Sequence, residues 1–236
     1  MSSSKRYEQA AALVDRKKVY SLEEAVGLLT QMPKVKFDET VELSISLGID
    51  PAKTDQVVRG TVVLPHGTGK TRKVLVFCKG EREIEAKQAG ADYVGAAELI
   101  DKIQGGWLEF DVAIATPDLM RDVSKLGRVL GPRGLMPNPK VGTVTEDVAK
   151  AVSEVKQGKV EFKMDKLANL HVVIGRLSFA APQLVDNARA VLGAILRARP
   201  AAAKGQFIRR VGLSGTMSPG VFVDIRALMD DQEDHG

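Results

Sequence analysis

The sequence predicts a discontinuous α+β domain with an antiparallel sheet, interrupted by an inserted parallel α/β domain. Three observations carry this reading. Both ends of the chain alternate apolar and polar residues at period two, the mark of strands with one buried and one solvated face. The middle instead holds continuous apolar runs separated by helical segments, as strands buried on both faces require. Glycines mark the crossings, Gly67 and Gly69 on entry and Gly158 on exit, and read as hinges. The expected division is therefore residues 1–66 and 159–229 for the first domain, 67–158 for the insert, and an acidic tail at 230–236.

The N-terminal part opens with a helix over Lys5–Lys17. A second begins at Ser21, where Ser21 and Glu24 form a capping box ahead of Ala25, Val26 and Leu29 on one face, and Pro33 ends it. From Val41 the period changes to two: Val41, Leu43, Ile45, Leu47 and Ile49 alternate with Glu42, Ser44, Ser46 and Gly48. Another strand is expected at Gln56–Leu64.

In the middle, Lys73–Cys78 and Asp111–Thr116 are the continuous apolar strands. Between them lie a charged helix (Glu81–Ala89), a short strand (Asp92–Val94) and a helix (Ala96–Ile103). A helix at Pro117–Leu126, a loop, and a helix at Glu146–Lys156 stopped by Gly158 complete the alternation.

Period two returns with Val160, Phe162 and Met164, then with Leu170, Val172 and Ile174. The helix at Pro182–Arg199 carries Leu184, Val185, Ala188, Val191, Leu192, Ile195 and Leu196 as an amphipathic stripe. A last strand, Gln206–Thr216, sets Phe207, Val211 and Leu213 opposite Arg210, Ser214 and Thr216.

Composition excludes several classes. The charged start without an apolar signal region, and the lack of any apolar run near the roughly 18 residues that span a bilayer, point to a cytoplasmic chain with no membrane partner. One cysteine, Cys78, permits neither an internal disulfide nor a Cys-rich metal site, and its place in an apolar run reads as a buried thiol. Net charge is +4, a weak pointer to an anionic partner. Its distribution says more: residues 160–236 hold ten basic and eight acidic residues, and four of those acids sit in the last seven positions. Without the tail, the C-terminal third is basic.

His66-Gly67-Thr68-Gly69-Lys70-Thr71 imitates the end of a nucleotide-binding P-loop. The motif needs a Gly where Leu64 stands, and a helix where Arg72–Cys78 reads as strand, so no nucleotide is expected. The three histidines, His66, His171 and His235, form neither a metal-spaced set nor a triad, so no catalytic residue, metal or cofactor is assigned. A small-molecule-binding reading would place a ligand at the carboxyl ends of the middle strands, but nothing in the sequence selects one.

The run from Ser124 to Lys140, SKLGRVLGPRGLMPNPK, combines four basic residues with three glycines and three prolines, which bars a helix past Gly131 and reads as an exposed cationic loop. This string resembles the signature of the L-one family of bacterial large-subunit ribosomal proteins, the proteins of the mobile stalk. Lys36–Glu42, Leu47–Pro51, Asp55–Thr61, Leu64–Gly67, Ala89–Gly95 and Ala115–Asp118 resemble it as well, so the similarity runs from about Lys5 to Val223. The resemblance implies a two-layer α+β domain with an inserted three-layer Rossmann-like domain. It further implies a non-enzymatic constituent of the large ribosomal subunit, monomeric off the ribosome, that binds 23S ribosomal RNA. The family's association with exit-site tRNA, and with repression of its own operon's mRNA, enters as the same kind of expectation.

By the same resemblance the RNA-binding surface involves Phe37, Thr40, Glu42, Lys166, Ser178, Thr216 and Met217. Residue by residue, Thr40, Glu42, Ser214 and Thr216 fall on polar strand faces, which suits the reading of shape and 2′-hydroxyls in folded RNA. The same pattern also describes an ordinary solvated face. Glu42 must accept hydrogen bonds from RNA to offset repulsion. Strand parity puts Phe37 on the core side, leaving core and stacking roles both open, and Met217 also has a core reading. Lys36, Lys163, Lys166, Arg209 and Arg210 are candidates for phosphate neutralisation, with Lys125, Arg128, Arg133 and Lys140 as a secondary RNA contact. The family usually has Gly where Ser218 follows Met217, which raises the question of a positive φ there. Aromatic content of 5% argues against a stacking platform for single strands.

Overall fold

The structure is a computed structural model that describes residues 4–225; the acidic tail at 230–236 lies outside the described residues. In chain order the elements are α1 (Lys5–Ala12), α2 (Leu22–Gln31), β1 (Thr40–Leu47), β2 (Arg59–Val63), β3 (Val74–Phe77), α3 (Glu81–Gln88), β4 (Tyr93–Gly95) and α4 (Ala97–Gln104). There follow β5 (Val112–Ala115), the short α5 (Met120–Val123) and α6 (Gly127–Leu130), α7 (Val148–Lys156), β6 (Lys159–Lys163), β7 (Asn169–Arg176), α8 (Ala181–Arg197), β8 (Ile208–Gly215) and β9 (Val221–Val223). They form two compact units, one from the chain up to Gly69 and from Val160 onward, the other Lys70–Lys159.

The first unit is built on an antiparallel sheet of order β7-β1-β8-β9. Helices α2 and α8 pack on one face of it, so every second residue of β1 is buried. Val41, Leu43, Ile45 and Leu47 meet the α8 stripe of Leu184, Ala188, Val191 and Ile195 in one core. Each of these valines, leucines and isoleucines contributes roughly 1.5–3 kcal/mol on burial. The α2 capping box is present: Ser21 Oγ accepts the Glu24 amide at 3.1 Å and Glu24 returns a bond to the Ser21 amide at 3.3 Å.

Two helix expectations need correction. The first helix stops at Ala12, not Lys17, because Tyr20 Oη captures the Asp15 amide and the Asp15 carboxylate captures the Lys17 amide, local bonds that compete with a helix. The α8 stripe is also not purely apolar. Asn187 is fully buried within it, with Nδ2 donating to the Ile174 and Gly67 carbonyls (2.7 and 3.0 Å) and Oδ1 accepting the His66 amide at 3.0 Å. These bonds satisfy the amide and fix the chain as far as Gly67.

The second unit is a parallel sheet of order β4-β3-β5 between two helical layers. Val74–Phe77 is buried at every residue, as its apolar run requires. On one side lie α3 and α7, and on the other α4 with the segment 117–130. That segment is not the continuous helix expected at Pro117–Leu126. It alternates 3-10 and α turns through Leu130, burying Leu119, Val123, Leu126 and Leu130 at three- and four-residue intervals. The supposed cationic loop is thus partly a covering layer, with its charges turned outward.

Candidate nucleic-acid interface

The face of the four-stranded sheet away from α2 and α8 is polar. Across it Ser44 pairs with His171 on β7 and Gly212 on β8, Glu42 with Val173 and Ser214, and Ser46 with Asn169 and Arg210. A bulge between Val41 and Glu42 against β7 re-aims the strand beside Glu42. His171 Nδ1 lies 3.1 Å from Ser44 Oγ and 3.5 Å from Glu42 Oε1. Serine, histidine and carboxylate here do not make a proton relay, because both partners crowd the same ring nitrogen, whereas a relay needs one at each.

At the Thr40 end of this face, three chain segments are knotted together. Glu39 is buried, yet its Oε2 accepts the Met217 amide at 2.8 Å and the Ser218 hydroxyl at 3.2 Å, and its carbonyl accepts the Leu177 amide at 2.8 Å. Asp38 accepts the Ser178 amide at 3.1 Å and its hydroxyl at 2.8 Å, while Arg176 donates to the Asp38 carbonyl at 2.9 Å. Thr216 Oγ1 accepts the Thr40 amide at 3.0 Å and donates to the Thr40 carbonyl at 3.3 Å. Arg6 reaches the Met217 and Pro33 carbonyls. A buried carboxylate is tolerated only when so paired.

The knot brings Lys36, Phe37, Thr40, Glu42, Ser178, Ser214, Thr216 and Met217 to one end of the sheet. Phe37 and Met217 are 53% and 50% exposed, which overturns the core reading of both. Parity fails for Phe37 because β1 starts at Thr40, so the chain before it does not continue the strand. The hydroxyls of Ser178 and Thr216 are already engaged with Asp38 and Thr40, so these two hold the surface in shape, whereas among the described residues those of Thr40 and Ser214 make no internal bond.

Lys166 sits elsewhere. It lies in the turn before Asn169, beside the Ser46 end of β1, about 20 Å from Thr40 at roughly 3.4 Å per residue. Asp165 shapes that turn, accepting the Leu167 and Asn169 amides at 2.8 Å, and the Asn169 bond above all holds its carboxyl below the usual range.

Ser218 settles the question its position raised. It takes no positive φ, and its hydroxyl joins the Glu39 knot. The glycine that matters is Gly215, where a Cβ would lie 2.6 Å from Ser218 Oγ and 3.0 Å from Glu39 Oε2. Glu39, Asp38, Arg176 and Arg6 are the residues that strand reasoning passed over. One signal existed: Glu39 has the parity of Val41, and an acid at a core-side position demands partners.

In the second unit, Lys125, Arg128, Arg133 and Lys140 are exposed, and Lys125 pairs with Asp122 at 2.9 Å. The P-loop imitation leads into β3 with no helix after it. Gly67, Gly69 and Gly158 all have positive φ. A cleft of about 300 Å³ lies at the carboxyl ends of β3 and β5, but its Arg82 is already paired with Asp118 (3.5 Å) and Glu146 (3.9 Å). Among the described residues no group of three His, Cys, Asp or Glu is placed to hold a metal ion, and no helix is long and apolar enough to cross a membrane.

A family model described as "Ribosomal protein L1p/L10e family" matches residues 29–219, a span that includes the Lys36–Glu42 and Gly215–Ser218 segments of the knot. The chain belongs to this family. Proteins called "Large ribosomal subunit protein uL1" are similar over nearly their whole length. That of Salinispora arenicola (strain CNS-205) is 58% identical over 233 residues, 99% of this chain and 98% of its own. That of Salinispora tropica is 58% identical over 224 residues, 95% and 94% of the two chains. That of Kosmotoga olearia is 57% identical over 227 residues, 96% and 98%. For a member of the L1p/L10e family, the two-unit fold matches what the sequence resemblance implied.

Proposed function

We infer that the chain is a non-enzymatic constituent of the large ribosomal subunit that binds 23S ribosomal RNA at the mobile stalk through the open sheet face of its first unit. The observation that carries this reading is the Thr40 end of that face. There, a buried Glu39 and an engaged Thr216 hold the hydroxyls of Thr40 and Ser214, the Glu42 carboxylate, and the exposed Phe37 and Met217 side by side. Short, fixed polar groups with a few apolar contacts suit folded RNA, whose shape and 2′-hydroxyls are what a protein reads. Glu42 contributes selectivity, since a carboxylate must find RNA donors or repel the backbone. Lys36, and Lys166 at the far end of the face, supply phosphate contacts that set register and salt dependence.

The name shared by the relatives supports placement in the ribosome, and hence in the cytoplasm. The finer roles follow the same reading: release of deacylated tRNA from the exit site, repression of the operon's own mRNA by the same face, the second unit's Lys125, Arg128, Arg133 and Lys140 as a lesser RNA contact, and a monomer off the ribosome. Gly67, Gly69 and Gly158 serve as its hinges. The test is co-sedimentation of the tagged chain with large subunits, followed by sequencing of the RNA protected on it. Recovery of one 23S segment is the expected result. Recovery in the ribosome-free fraction, or with scattered RNA, contradicts the reading.

A further inference from the structure

The β9 edge of the four-stranded sheet carries a feature that the Thr40 knot does not use. Where β8 passes Ser46 and Leu47 of β1, the register jumps from Arg210 to Ile208, so Arg209 is an extra residue in a β-bulge. A regular strand would send one arginine outward and its neighbour inward. The bulge turns both Arg209 and Arg210 to solvent. Gly48 makes this possible: its amide donates to the Phe207 carbonyl at 2.7 Å, and a Cβ on it would lie 2.0 Å from the Gln206 oxygen.

The two arginines meet Arg16 and Lys17 around a groove of about 460 Å³ whose lining includes Phe222 of the edge strand β9. Among the described residues none of these four cations is in an ion pair, and Asp224 is the one carboxylate in the lining. Lys18, also in the lining, is 3.8 Å from Glu24. The Arg210 guanidinium sits 5.1 Å from the centre of the Phe222 ring, and that ring is more than a third exposed. Its cross-strand partner is Gly212, so no side chain stands directly opposite the ring on β8 and only Arg210 reaches it from that strand. Like charges gathered this closely repel one another, and an anion relieves that repulsion.

We propose that this groove is a second RNA subsite, in which Arg16, Lys17 and Arg209 hold consecutive backbone phosphates and one unpaired base stacks against the Phe222–Arg210 pair. It rests on the RNA-binding reading above and extends it. Phosphate contacts need cations at nearby positions, and a base needs an exposed π-face with a guanidinium beside it. Both requirements meet here, at the edge of the same sheet. Low aromatic content overall does not matter when one ring is placed this way.

The test uses the full chain, a transcript of the stalk segment of 23S ribosomal RNA, and filter binding at several salt concentrations. The variants are Lys17→Gln with Arg209→Gln, which changes only exposed charge, and Phe222→Leu, which keeps an apolar edge residue. The double variant is expected to flatten the slope of log K against log salt by about 1.4–1.8 while leaving the preference over unrelated folded RNA intact. Phe222→Leu is expected to weaken binding roughly 5- to 100-fold. An unchanged slope in the first variant, with affinity within twofold in the second, overturns the subsite and leaves the Thr40 surface standing. A wild-type chain with no preference for the stalk transcript overturns the broader reading and this inference with it.

Discussion

Glu39 holds Met217 across 178 positions of sequence, its buried carboxylate accepting the Met217 amide at 2.8 Å. The bond ties the start of β1 to the turn after β8, and so to the two segments that frame the proposed RNA surface. Replacing Glu39 by Ala leaves that amide and the Ser218 hydroxyl without their acceptor, at a cost of about 1–3 kcal/mol. Glu39→Gln keeps an acceptor and loses less. Urea unfolding of the two variants should rank them in that order, with RNA affinity following the same rank. Equal stability for wild type and Glu39→Ala contradicts the role given to this bond.

Gly215→Ala should be destabilising, because its new methyl meets Ser218 Oγ and Glu39 Oε2 in the same knot. Adding Ser218→Gly removes the nearer clash and should restore part of the loss, while Ser218→Gly alone should cost less than about 1 kcal/mol for one hydroxyl bond. Thermal unfolding of the single and double variants reads this coupling. Strict additivity of the two changes speaks against the contact.

Asp111 links pH to the stability of the second unit. Its carboxyl is held below the usual range by the Lys73 amide at 3.0 Å, against opposing burial, with help from Lys70 at 3.2 Å. A depressed folded value means the stabilisation is present above the unfolded value of about 3.9 and is lost as pH falls through the folded one. Asp92 is pushed up by burial, but the Val74 amide and Lys156 outweigh this and lower it, so it acts in the same direction. The single Trp107 packs edge-to-face with Tyr93 and at a tilt with Phe110 in this unit, and its fluorescence reports the transition. The urea midpoint should fall below about pH 4, and Asp111→Asn should fall less steeply, by under about 1 kcal/mol for so exposed a pair. A midpoint that rises on acidification contradicts the sign.

Cys78 ends the buried β3 run, and burial pushes its thiol up to about 11. A neutral, covered thiol is a poor nucleophile. It should resist an aromatic disulfide reagent at pH 8 in the native chain and react fully in urea. Rapid reaction of the native chain would show a thiol more open than the fold allows.

Much of this architecture was legible in residue order. The alternation Val41–Leu47, the Ser21–Glu24 box and the unbroken Val74–Phe77 run report local periods that burial on one or two faces imposes directly. What was not legible depends on contacts between distant segments. β9 is three residues long after Pro219-Gly220, too short to show a period, and forms because it pairs with β8 on one edge and accepts the Tyr20 amide at the Phe222 carbonyl on the other. Lys166 and Thr40 were grouped by resemblance, but the register places them at opposite ends of one face. The bulge at Arg209 depends on Gly48, whose meaning appears only when the two strands are paired. Thr216 looked like a free hydroxyl on an outer strand face, and only the folded chain reveals Thr40 as its partner.

In the proposed function, the Thr40 end of the open sheet face selects one folded ribosomal RNA. Competition filter binding tests it most directly, with labelled 23S stalk RNA challenged by unrelated folded RNA, for wild type and for Glu42→Lys. The wild type should show a strong preference that collapses in Glu42→Lys even though the added positive charge keeps overall RNA affinity high. A Glu42→Lys protein that discriminates as well as wild type would contradict it.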